Sequence, residues 1–113
     1  MNISFARGDS FIKGFQLRNE STKEPITQDF DEIYFTMKKN YSRNEYVLQK
    51  TLSGGGIVAD GDGHYTLTLL PGDTAALPFG EYDFDIELDR GDFVRTFCGK
   101  ITLTKESTHA TNK

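Results

Sequence analysis

Between Asp62 and Leu88 the chain carries two runs of strict period-two alternation joined by a short corner. In the first run Tyr65, Leu67 and Leu69 alternate with Thr66, Thr68 and Leu70. In the second, Tyr82, Phe84, Ile86 and Leu88 alternate with Asp83, Asp85 and Glu87. Alternation at period two gives each strand one buried face and one wet face. The corner, Pro71 to Gly80, is built from residues that stop strands. There Asp73 can accept hydrogen bonds from the amides that follow it, which predicts a single helical turn near residues 73–77. Pro78 ends that turn, Gly80 releases the chain into the next strand, and Leu77 is placed to plug the bottom of the core.

The rest of the chain reads the same way. Ile3 and Phe5 begin a short strand; Phe11, Lys13, Phe15 and Leu17 share one face of the next. A polar loop from Arg18 to Gln28 contains Pro25. Ile33, Phe35 and Met37 mark a third strand, Tyr46 to Leu52 a fourth, and Ile57 to Ala59 a fifth. Asp60-Gly61-Asp62-Gly63 reads as a tight turn. Phe93 to Leu103 is the last strand. No stretch fits a helix of ordinary length. Many short strands with regular turn signals predict an all-β sandwich or barrel.

With 113 residues, the chain is expected to form one domain over residues 1–104, followed by a polar tail over 105–113. A chain of this size buries about two-thirds of its unfolded surface and needs no staples. Cys98 is alone, so no internal disulfide can form. No apolar run is long enough for a membrane helix, and the first residues lack a basic-then-apolar signal region. The net charge of −4, with no clustered basic tract, argues against nucleic acid and membrane surfaces as partners. Lys38, Lys39 and Arg43 read as a solvated turn around Asn40 and Tyr41.

A hairpin over Asp89-Arg90-Gly91-Asp92 joins the last two strands. Symmetric pairing about Arg90-Gly91 predicts Leu88 opposite Phe93, Phe84 opposite Phe97 and Tyr82 opposite Gly99. It sets Arg95 on the inner face opposite Ile86, and Lys100 opposite Glu81. Asp83, Asp85, Glu87 and Asp89 then form an acidic stripe on one outward face, with Val94, Thr96 and Cys98 beside it. The stripe is either a solvated edge that resists sheet-to-sheet association or a docking surface for a basic partner. These four acids are the candidate partner-binding residues.

Other motifs reduce to local structure. Arg7-Gly8-Asp9 and Arg90-Gly91-Asp92 read as turn chemistry. Asp60 and Asp62 fail as a calcium loop, because the later ligand positions fall on His64, Tyr65 and Pro71. His64 and His109 lie far apart, and no nucleophile, base and acid share a spacing that implies a triad. Cys98 has no feature that lowers its pKa. No catalytic residue, metal site or cofactor is expected, and the chain reads as non-enzymatic.

The pattern Gly63-x-Tyr65, Leu67-x-Leu69, Asp73-Thr74-Ala75-Ala76-Leu77, Gly80-x-Tyr82 resembles immunoglobulin-like sandwich domains of tailed-bacteriophage virion proteins. It is similar to the N-terminal domain of the phage baseplate upper protein. Arg7-Gly8-Asp9-Ser10 before Phe11-x-x-x-Phe15-x-Leu17, and the Gly99-Lys100-Ile101 step, add to the likeness, which spans about residues 3–104. The resemblance implies an immunoglobulin-like antiparallel β-sandwich of about seven to eight strands. It also implies a virion structural or accessory role in head decoration, neck, tail or baseplate. The partners would then be other virion proteins in a multi-copy or homo-oligomeric assembly, made in the host cytoplasm and carried in the virion. The alternative is a carbohydrate or host-surface binding module, for which Tyr34, Tyr41 and Tyr46 are the candidate glycan-binding residues.

Overall fold

The computed structural model describes residues 2–18, 21–26, 30–39, 46–61 and 63–105. Eight strands appear: β1 (Asn2–Ala6), β2 (Phe11–Gln16), β3 (Glu32–Lys38), β4 (Leu48–Thr51), β5 (Ile57–Gly61), β6 (His64–Leu69), β7 (Gly80–Arg90) and β8 (Phe93–Thr104). They form a five-stranded sheet ordered β1-β8-β7-β3-β4 and a three-stranded sheet ordered β2-β6-β5. The expected all-β sandwich is therefore present, with the strand order of an immunoglobulin-like domain. One pair departs from the antiparallel expectation: β1 runs parallel to β8, with Asn2 opposite Lys100 and Ala6 opposite Thr104.

The inward residues of both sheets make a single core. Ile33, Phe35 and Met37 of β3 meet Tyr82, Phe84, Ile86 and Leu88 of β7, and Tyr65, Leu67 and Leu69 of β6 close from the other sheet. The Phe35 and Phe84 rings are 5.5 Å apart. Burying each of these side chains contributes about 1.5–3 kcal/mol. The Tyr82 hydroxyl donates to the Pro78 carbonyl at 2.7 Å, four residues upstream. That is the tyrosine corner of immunoglobulin-like sandwiches, and it explains a buried tyrosine at the start of β7.

The chain changes sheets between β1 and β2, and the first Arg-Gly-Asp builds that crossing. Gly8 has φ 85, its N–H donates to the Thr74 Oγ1 at 2.9 Å, and the Arg7 guanidinium donates to the Leu77 carbonyl at 3.2 Å. Gly63 is similarly constrained. Its φ is 78, and a Cβ there would lie 2.6 Å from the Ile26 carbonyl oxygen.

Two local expectations are corrected. The helical turn, α1, spans Pro71–Thr74 rather than starting at Asp73. Proline supplies the first helical residue, and Asp73 reaches back to accept from the Leu70 N–H at 2.7 Å instead of capping forward. Lys50 of β4 fixes the same carboxylate at 3.0 Å. The β7–β8 hairpin has a two-residue turn, Gly91-Asp92, with Arg90 opposite Phe93. Every expected pair therefore shifts by two: Leu88 faces Arg95, Ile86 faces Phe97, Phe84 faces Gly99, and Lys100 faces Asp83. Gly91 adopts φ 58, and its N–H donates to the Asp31 carboxylate at 2.7 Å, which anchors a turn centred on Gly91-Asp92.

Candidate interaction surfaces

The acidic stripe lies in the middle of the five-stranded sheet, because β7 sits between β8 and β3. The reading of these residues as a charged edge is thereby corrected. Asp83 is buried and accepts from the Lys100 ammonium at 2.8 Å, with Lys38 opposite it on β3. Lys100 also lies 3.8 Å from Glu81, and the hydrogen bond to Asp83 holds the Lys100 pKa above its usual value. Asp83 is thus spent inside the sheet. Asp85, Glu87 and Asp89 remain half-buried on the outer face. Their β3 neighbours are Thr36, Tyr34 and Glu32, and their β8 neighbours are Cys98, Thr96 and Val94. A hydrogen bond shared with Asp89 raises the Glu87 pKa, with partial burial and the charges of Asp89 and Asp85 adding to it. Glu32 behaves oppositely: the Ser53 hydroxyl and amide both donate to it, holding its pKa below the usual carboxylate value.

Tyr34 and Tyr46 do not lie together. Tyr34 is half-buried on the outer face opposite Thr51 and Glu87. Tyr46 is 54% exposed and precedes the far end of β4, roughly 15 Å away along the strand. Tyr41 lies outside the described residues. Among the described residues, no group of three or more His, Cys, Asp or Glu side chains is arranged to hold a metal ion. Asp60 accepts a hydrogen bond from the Thr66 hydroxyl across the β5–β6 turn.

A second surface was only half legible in the sequence. β1 pairs with β8 only from Lys100 to Thr104, so residues 93–99 of β8 extend past it. On the opposite sheet β2 is terminal. Between these two flanks the sandwich gapes into a cleft of about 630 Å³. Phe15, Leu67, Phe84 and Ile86 are among its apolar lining, and Lys13, Arg18, Arg90 and Arg95 supply its charges. Among the described residues, no aspartate or glutamate lines it. The signal was present as Lys13 and Arg95 at inward strand positions, where a closed core would demand apolar groups.

The backbone along this flank can be read from two bonds. Asp89 accepts from the Asp31 N–H, so odd-numbered β7 residues turn their backbone groups toward β3 and even-numbered ones toward β8. Pairing with β7 then engages Phe93, Arg95, Phe97 and Gly99. Thr104 accepts from the Arg7 N–H on the β1 side, which agrees with that parity. Val94, Thr96 and Cys98 therefore present their N–H and C=O groups to the open flank, where no strand pairs among the described residues. Val94 is 59% exposed and Phe97 38%.

No family model matches the chain, and no curated protein matches it. Among solved structures it is similar to an endo-beta-1,4-mannanase from Thermotoga petrophila, with a TM-score of 0.61 and 15% sequence identity. The match covers 93% of this chain and 18% of the mannanase chain. At that identity the likeness concerns the fold, and the chain spans under a fifth of the mannanase's length.

Proposed function

We propose that this domain is a non-catalytic binding module that works through protein–protein contacts, and that it serves as a structural or accessory component of a tailed-phage virion. The observation that carries the binding role is the open flank: a strand edge with no partner among the described residues, beside a cleft with an apolar floor. A long bare edge invites association, and native proteins normally charge it, shorten it or cover it. Here, among the described residues, no strand pairs with residues 93–99 of β8, and Val94 and Phe97 on it are exposed beside a gap in the core. The virion setting draws on the resemblance of the Gly63–Tyr82 pattern. Peptide mass spectrometry of gradient-purified particles from the phage or prophage that encodes the chain tests it. The expected result is a fixed stoichiometry to the major capsid protein; absence from intact particles contradicts it.

The second reading, a carbohydrate-binding module, draws on Tyr34 on the outer face beside Glu87 and Thr51. Binding on a glycan array that Tyr34→Ala abolishes would favour it over the assembly role.

A further inference from the structure

We infer that a second copy of this chain covers the open flank, its β8 pairing antiparallel with residues 94–98 about a two-fold axis through Thr96. This rests on the binding role proposed above and deepens it by naming the occupant and the register. The run in question is short and bounded. The β7–β8 turn closes it at one end, and β1 takes the same edge from Lys100 onward. Between these limits Val94, Arg95, Thr96, Phe97 and Cys98 are all exposed. A sandwich strand normally buries one of its two faces, so this stretch is uncovered on its inner face as well as along its edge. Thr96 is its midpoint.

The backbone selects the register. Val94, Thr96 and Cys98 turn their N–H and C=O groups outward, and no strand pairs with them among the described residues. An antiparallel copy centred on Thr96 sets Thr96 against Thr96 and Val94 against Cys98, the latter twice by symmetry. All three outward residues of both chains then pair, and the second copy's strand reaches its own turn where β1 begins. Moving the axis by one residue loses this fit. Centring on Arg95 carries Cys98 onto the other copy's turn at Asp92 and sets Arg95 against itself, with like charges directly opposed. Centring on Phe97 carries Val94 onto Lys100, which already faces Asn2 of β1. The side chains agree with the Thr96 register. Its outer face opposes only Val94, Thr96 and Cys98. On the inner face Arg95 meets Phe97 of the second copy at a non-hydrogen-bonded position, where side chains lie close. Within one chain the Arg95 guanidinium lies 5.5 Å from the Phe97 ring, so the same contact is offered across the axis. A strand from another protein could use these backbone groups, but a second copy brings an edge of the same length, spacing and centre. Pairing over so few residues falls short of the about 800 Å² per partner that a stable dimer needs. The contact is therefore weak in dilute solution and gains strength where many copies are held together.

The test is an isotope-filtered NOE spectrum of labelled and unlabelled chain mixed at high concentration. The expected result is a contact between the Hα of Arg95 in one chain and the Hα of Phe97 in the other, with concentration-dependent shifts at the amides of Val94, Thr96 and Cys98. Thr96→Pro removes both central donors and is expected to leave a monomer at every concentration. The fold persists, because that N–H points away from β7 and proline is tolerated on an edge. Thr96→Lys and Thr96→Glu are each expected to weaken the dimer about fivefold, and mixing the two variants to restore it, because the axis sets residue 96 against itself. That rescue separates loss of the contact from damage to the fold. Several results overturn the proposal: a monomer at all concentrations, a dimer with its contacts elsewhere or in another register, a dimer retained by Thr96→Pro, or no rescue on mixing. A monomer in which these amides are already shielded assigns the edge to a segment of the chain itself, and overturns it too. Presence in purified virions is measured independently, so a chain that stays monomeric removes this contact without removing the virion role.

Discussion

Tyr82 shows how much one position can carry. Its ring is buried, its hydroxyl is tied to Pro78, and burial raises its pKa. The alternation made it a core residue from the sequence; the hydroxyl's partner was hidden, because it depends on how the corner folds back. Tyr82→Phe leaves the ring and strands the Pro78 carbonyl, so it should cost about 1–3 kcal/mol in urea unfolding. The carboxylates of the outer face make a pH prediction. Glu32 has a lowered pKa, so its hydrogen bonds stabilise the fold above pH 4.5 and that stability is lost as pH falls. Glu87 has a raised pKa, so the fold favours its neutral form. Stability from that source is present below pH 4.5 and is lost as pH rises through the raised value. Glu87→Gln should therefore stabilise the protein at pH 7 by about 0.2–1 kcal/mol, as for surface charges, with the gain vanishing at pH 3. Thermal melts at both pH values check this, and an equal effect at both would contradict it.

At the scale of elements, period-two alternation specifies which face is buried but is blind to shifts by two. The β7–β8 hairpin illustrates this: both registers keep Tyr82, Phe84, Ile86 and Leu88 inward, and only the centre of the turn, Arg90-Gly91 or Gly91-Asp92, separates them. Gly91 with its positive φ suits the first position of a two-residue loop, which centres the turn on Gly91-Asp92. The consequence is testable by cross-linking. Glu87→Cys with Thr96→Cys, in a Cys98→Ser background, places two thiols at a directly opposed pair. This pair should oxidise readily, because its members are not hydrogen-bonded to each other and their side chains lie close. Glu87→Cys with Val94→Cys, the pair expected from pairing centred on Arg90-Gly91, should not. The reverse result would restore pairing centred on Arg90-Gly91. Strand order was beyond reach in the same way. That β7 has β3 beside it rests on contacts far apart in sequence, so an acidic stripe that reads as an edge becomes the centre of a sheet.

For the molecule as a whole, the sandwich was legible and its open side was not. Turn signals and alternation locate nearly every strand, though β4 is shorter than Tyr46 to Leu52 and begins at Leu48. What sequence alone could not supply is that β1 begins opposite Lys100, so that among the described residues no strand covers the first half of β8. Inward cations at Lys13 and Arg95 were the trace of it. These two features, a bare edge and a cation-lined gap, are the basis for reading the domain as one built to be covered. Amide hydrogen exchange resolved by residue tests that central claim most directly. The amides of Val94, Thr96 and Cys98 should exchange orders of magnitude faster than those of Arg95, Phe97 and Gly99, which pair with β7. Equal protection across residues 94–99 would mean that the edge is already covered within the chain, and would contradict the account.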